Sequence, residues 1–174
     1  MNALILLFSL CSSSPVDSSI YDIQVNTIDS NIINLSSYQG KKIVAAEFDA
    51  SNPDATELQY LDSLQSNDTS LVVIAVPATD FGGGNTVNLQ SLRDSMNLHI
   101  VISVPSPVQK SNGDSQCDLF KWLTNVGYNQ HFDDDVAGPG QLFIVNENGI
   151  LYSSLSKGTP HDVIWSSINQ QINQ

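Results

Sequence analysis

The chain alternates short apolar runs with polar, turn-forming stretches. Residues 21–41, YDIQVNTIDSNIINLSSYQGK, set Ile23 and Val25 among polar neighbours. Ile32, Ile33 and Leu35 follow across the turn residues Asp29, Ser30 and Asn31. This pattern predicts a two-strand hairpin. Residues 42–48, KIVAAEF, form a short apolar run with flanking turns, as a buried central strand does. SNPDATELQYLDSLQSN then opens on turn residues and Pro53, a favoured early helix position. Leu58, Leu61 and Leu64 at spacing three, with Asp54 and Glu57 near the start, predict an amphipathic helix. Leu71 to Val76 is a second unbroken apolar strand, and it empties into a loop with three glycines, Gly82 to Gly84.

Beyond that loop, VNLQSLRDSMN carries Val87, Leu89, Leu92 and Met96 at helical spacing. Ile100 to Val104 reads as a strand stopped by Pro105 and Pro107. A third helix is expected over Asp114 to Val126, with Leu119, Trp122 and Leu123 on one face. FDDDVAGPG is loop, QLFIVNENGILYSSL a hairpin turning at Asn146 to Gly149, and Thr159 to Ile172 a last helix with Val163, Ile164, Ile168 and Ile172. Strands separated by helices call for a parallel sheet, and the closing hairpin adds antiparallel strands. The expected class is α/β: a thioredoxin-like fold, with a central mixed β-sheet flanked by helices and an N-terminal β-hairpin. There are no repeats, and 174 residues fit one domain.

Charge narrows the partners. Six Lys plus Arg against eighteen Asp plus Glu give a formal net charge of -12, which argues against nucleic acid and anionic membrane surfaces. Only 14% of residues are charged, so solubility leans on Ser, Asn, Gln and Thr. Met1 to Leu10, MNALILLFSL, has the length of a signal-peptide core and is too short to span a bilayer. CSSSPVDSS follows, so residues 1–18 are expected to be a signal peptide with its cleavage point open, and 19–174 the folded domain. A lipoprotein signal at Cys11 is disfavoured by Leu10, and an uncleaved anchor or an N-terminal strand are the other readings. The sequons Asn34-Leu35-Ser36 and Asn67-Asp68-Thr69 agree with a secretory route, making Asn34 and Asn67 glycosylation candidates. The expected location is outside the cell or in the secretory lumen, with no membrane attachment once the signal is removed. Cys117 would then be the one remaining cysteine, unable to form an internal disulfide.

Four stretches together resemble the glutathione peroxidase family. SIYDIQVNTIDSNIINLSSYQGKKIV is similar to its opening hairpin, with the G-x-x-x-x-L-x-x-Y-x-G-K pattern. VVIAVPATDFGGGN resembles its strand-to-loop signature A-F-P-C-N-Q-F-G-x-Q. KSNGDSQCDLFKWL resembles its V-N-G-x-x-x-x-P-x-Y-K-F-L helix entry, and LFIVNENGILYSSLSKGTP its closing hairpin. They lie in order and at matching spacing along nearly the whole chain after the first residues. The resemblance implies a thioredoxin-like fold and peroxide chemistry through a selenocysteine or cysteine in A-S-x-C-G-x-T, a residue able to attack an O–O bond as its anion. Here the matching stretch is DASNPDATEL. Setting Ala50-Ser51 on the family's Ala-Ser puts Pro53 at the nucleophile position, and a shift of one residue offers Asn52 or Asp54. The family's glutamine falls on Asp80, its neighbouring asparagine on Thr79, and its Trp-Asn pair on Gly138-Pro139. The resemblance thus implies a peroxidase scaffold without the peroxidase's catalytic residues.

Other candidates remain. Cys117 stands at the start of a predicted helix, whose dipole lowers a thiol pKa, while Asp114 and Asp118 push the other way. It is read as structural, with a redox role or an intermolecular disulfide as alternatives. Asp133-Asp134-Asp135 with Asp80 could make a weak Ca²⁺ loop, against the simpler reading of a solvated turn. His99, His131 and His161 lack ligand spacing. Gly138-Pro139-Gly140 matches the place where thioredoxin-like folds carry a cis-proline, or is a plain tight loop. Ser51 has no base near it in sequence for a nucleophile's role. The expected function is that of a binding or scaffold module for an unknown protein or small molecule, without metal or cofactor. The alternative is a thiol-dependent peroxidase or oxidoreductase of the oxidative stress response, using Cys117 or an unrecognised site.

Overall fold

The computed structural model describes residues 18–82 and 86–170. Residues 1–17 of the expected leader, the glycines 83 and 84, and Ile172 lie outside the described residues. β1 (Gln24–Asn26) and β2 (Ile32–Asn34) pair antiparallel as a separate hairpin. The main sheet contains β3 (Lys42–Asp49), β4 (Leu71–Ala78), β5 (Val101–Ile102), β6 (Leu142–Val145) and β7 (Leu151–Leu155), in the order β5-β4-β3-β6-β7. β3, β4 and β5 run parallel, and β6 and β7 are antiparallel additions. The hairpin docks on the β5 edge through a Thr27–Ser103 bridge and a Val104 N–H donated to Asn26 O. This is the mixed sheet expected from the sequence.

Both sheet faces are covered, so the central strands are apolar throughout. On one face Ile43, Ala45, Ile74 and Phe143 pack with Leu119, Phe120 and Leu123 of α3 (Asp118–Thr124). The Phe120 and Phe143 rings meet edge to face at 5.7 Å. On the other, Val44, Ala46, Phe48 and Val73 pack with Leu58, Leu61 and Leu64 of α1 (Ala55–Asn67). Ile164 and Ile168 of α5 (His161–Ile168) complete that side, and α2 (Leu89–Met96) adds Leu89. The last turn of α5 is tied down from the sheet. Lys42 Nζ donates to Ile168 O, and Tyr152 Oη donates to Ser167 O and Ile168 O. Among the described residues no helix is long and apolar enough to cross a membrane.

Several element boundaries differ from expectation. Leu35 opens a 3-10 turn (Leu35–Tyr38) instead of prolonging β2, and it is buried while Ile32 stays 61% exposed. The third helix starts at Asp118, because residues 110–115 form a 3-10 turn containing Gly113 at φ 55, ψ -123. It ends at Thr124, since Asn125 is extended and caps a further short turn, α4 (Val126–Asn129). α2 starts after Val87, where the Asn88 side chain caps the Ser91 N–H, and α5 starts after Pro160.

Candidate functional site

The sheet end from which β3 leads into α1 is the natural place to look, since parallel strands deliver loops and helix N-termini there. After Asp49 the chain turns through Ala50 to Pro53, and Asp54 caps α1 by accepting from the N–H groups of Thr56 (2.9 Å) and Glu57 (3.3 Å). Pro53 therefore precedes the helix and is not its first residue. The turn is pinned at its base. Ala50 N–H donates to Ala78 O (3.1 Å), and Ala50 O accepts from Val87 N–H (2.9 Å). Asp49 Oδ1 accepts from Ser51 N–H (2.8 Å) and Ser51 Oγ (2.7 Å), and the Ser51 hydroxyl chiefly holds the Asp49 carboxyl below its ordinary range. Ser51 is thus spent on a carboxylate within its own turn.

Over this turn lies a small cleft of about 90 Å³, lined by Phe48, Asp49, Asn52, Asp54, Glu57, Pro139, Gly140 and Lys157. The sequence's candidates Asn52, Asp54 and Pro139 are brought together here. The peptide before Pro139 is trans, like every other bond among the described residues, so the cis-proline alternative does not apply. Burial raises the Glu57 pKa, with Asp54 adding repulsion and Lys157 offsetting it. The stem of Lys157 lies across Gly140.

Thr79 and Asp80 are not part of this cleft's lining. The Thr79 N–H goes to Ser106 O at 3.1 Å. Asp80 points at the 108–112 segment, accepting from the N–H groups of Val108 and Gln109 and from Asn112 Nδ2. Its carboxylate serves to fasten the glycine loop to that turn. Asp133 and Asp135 are likewise engaged elsewhere. Asp133 pairs with Lys110 Nζ at 2.8 Å, which holds its pKa down, and Asp135 accepts from the N–H groups of Lys110 and Val136. Among the described residues no three His, Cys, Asp or Glu side chains are placed to hold a metal ion, so Asp80 and the acidic run do not assemble the Ca²⁺ loop considered above. The histidines are dispersed: His99 faces Asp62, His161 stacks on Tyr60 at 3.5 Å, and His131 follows α4.

Cys117 is the residue before α3 and lines a different pocket, of about 210 Å³, with Gln24, Val76, Ser106 and Gln116. Burial pushes its thiol up to about 11, with Asp118 and Asp80 adding repulsion. The helix-start position therefore does not activate it, because desolvation outweighs the dipole. A further cleft, about 470 Å³, lies between the 3-10 turn Ile20–Asp22 and α3, with Asp22, Asp118, Lys121, Trp122 and Tyr128 in its walls. Asn34 and Asn67 are both exposed, at the ends of β2 and α1.

Sequence reasoning passed over Glu47. It is 1% exposed in the middle of the sheet, and burial raises its carboxyl to about 8. Oε1 accepts from Gln141 N–H at 2.9 Å, while Oε2 has no hydrogen-bond partner. The available signal was a lone acid inside the apolar run KIVAAEF, where a buried strand has no solvent to offer it.

The architecture has many relatives among solved structures. A glutathione peroxidase of T. cruzi (GPX1) superposes with a TM-score of 0.68 at 16% identity, covering 87% of this chain and 95% of its own. A thioredoxin-family thiol:disulfide interchange protein of Chlorobium tepidum gives 0.63 at 11% identity over 88% and 94%. The fold is thioredoxin-like. No family model matches the chain. In sequence it is 25% identical over 155 residues to a probable phospholipid hydroperoxide glutathione peroxidase of Nicotiana sylvestris, covering 86% of this chain and 90% of the relative. It is 31% identical over 118 residues to glutathione peroxidase 1 of Caenorhabditis elegans, covering 62% and 69%. The chain belongs to the glutathione peroxidase family.

Proposed function

We propose that this chain is an exported member of the glutathione peroxidase family that binds or scaffolds a partner and does not reduce peroxide. The observation that carries the reading is Pro53, which stands in the turn before α1 where the family resemblance sets the nucleophile. A proline ring offers no atom that can attack an O–O bond and survive as an oxidised intermediate. The turn around it supports the same reading, because Ser51 is held by Asp49 and the surrounding cleft sets three carboxylates against one lysine. Such a lining disfavours any anionic nucleophile. Cys117 supplies sulfur in a separate pocket, and a thiol raised to about 11 is almost wholly protonated at neutral pH. The export part rests on the apolar Met1–Leu10 run and on two sequons at exposed asparagines.

The test is peroxide turnover by the purified chain with hydrogen peroxide or a lipid hydroperoxide and either glutathione or thioredoxin as reductant. The expected result is no turnover above buffer, and a Cys117 thiol that mass spectrometry finds unoxidised. Enzyme-dependent turnover overturns the proposal. If Cys117→Ser abolishes that turnover, the chain is instead a thiol peroxidase working through Cys117.

A further inference from the structure

β3 places one acid among its buried positions, and that acid is bonded to the segment facing it. Glu47 O accepts from Gly140 N–H at 3.0 Å, and Glu47 Oε1 accepts from Gln141 N–H at 2.9 Å. One residue thus holds two successive amides of the stretch that carries Pro139 and Gly140, which form one wall of the cleft. Oε2 is buried and unpartnered. A neutral carboxyl leaves one polar atom unpaired there, whereas a carboxylate is a buried charge with acceptor capacity unmet, the costlier of the two.

Among the described residues no cation acts on Glu47; what favours a charge there is the N–H donors of Gln141 and Gly140. β4 sets Val76 beside it. Gln141 spends its side chain on Ala137 N–H and Ser154 Oγ. From α1 the group that acts on it is Glu57, which is repulsive. Asp49 and Asp54 line the same cleft as Glu57, and Lys157 is the cation in that lining.

We infer that Glu47 is a proton-carried latch: uncharged, it stays buried with the Gly138–Gly140 turn bonded to the end of β3, and the charge formed when it loses its proton in alkaline medium draws it toward water, releasing the turn and opening the cleft. Burial, assisted by Glu57, keeps the proton on until about pH 8, while the donors of Gln141 and Gly140 offset this only in part. In the unfolded chain the same group ionises in the ordinary carboxyl range. Folding therefore takes up a proton between those limits. The stabilisation is fully present in acid and is lost as pH rises through the folded value.

The experiment compares the full chain with Glu47→Gln, by urea unfolding from about pH 5 to 9 and by amide exchange corrected for its intrinsic pH dependence. In the wild type the unfolding constant should rise by up to about tenfold per pH unit across the window. The Gly140 and Gln141 amides should lose protection before those of the β3–β4 ladder. Glu47→Gln should remove this slope and keep both amides protected. Equal slopes in the two proteins overturn the latch, as does loss of protection at 140 and 141 only in step with the whole sheet. Two measurements hold if Glu47→Gln does not fold. Glu57→Gln should move release to lower pH, and the wild-type Glu47 carboxyl carbon should titrate well above the ordinary range; titration within that range overturns the proposal.

Discussion

Gly82 is held by its neighbours at a conformation and a clearance that suit no other residue. Its φ of +76 is left-handed, and a Cβ built there would collide with Asp49 Oδ2 and Ser51 Oγ. The Asp49–Ser51 pair and the glycine therefore require each other. Gly82→Ala should cost about 1–3 kcal/mol, from left-handed backbone strain and displacement of that pair, and urea unfolding would register it. An unchanged midpoint would mean the 49–51 turn yields freely. The sequence displayed this glycine plainly, but its partner was hidden. Reading the stretch by family spacing directs attention to Thr79 and Asp80, whereas the collision falls on Asp49, some thirty positions upstream. Side-chain direction decides the matter: Asp80 turns to the amides of Val108 and Gln109 and away from the cleft.

At the scale of elements, α1 depends on its cap. Asp54 accepts from two of the N–H groups that a helix start leaves unpaired, and it also places a negative charge at the positive end of the helix dipole. Asp54→Ala should lower stability by about 1 kcal/mol, seen as a lower unfolding midpoint, whereas Asp54→Asn should recover most of it because its side chain still accepts. Loss of equal size in both variants would assign the effect to charge instead of capping. The strands were legible because each is an apolar run of one face or two. Helix ends were less so. The α3 boundary shifted from Asp114 to Asp118 because Gly113 takes a non-helical conformation, and polar residues around it gave no apolar face to mark the break. The β5 strand shrank to two residues because Ser103 and Val104 spend their bonds partly on the hairpin.

For the molecule as a whole, the chain carries a net charge of -12, and its two sequons stand on separate elements, one on the hairpin and one closing α1. If the chain travels the secretory route proposed above, protein made in eukaryotic secretory cells should run heavier than its bacterial counterpart. Removal of N-glycans should collapse the difference, and Asn34→Gln with Asn67→Gln should abolish it; equal masses would count against glycosylation. Family and architecture were readable in advance because backbone signatures survive in turn residues and apolar runs. The site was only partly readable. Asp49, Glu57 and Lys157 meet in the cleft from the end of β3, from α1 and from the segment after the last hairpin, and no local pattern announces that meeting.

The ties on the last turn of α5 have a mechanical consequence. A helix end normally leaves its final carbonyls to water, but here Lys42 from the central strand and Tyr152 from an outer strand both reach Ile168, and Tyr152 also takes Ser167. A pull at the chain's far end is therefore borne at once by the middle and the rim of the sheet. The terminal helix works as a clasp, and load reaches the core before the helix can peel away alone.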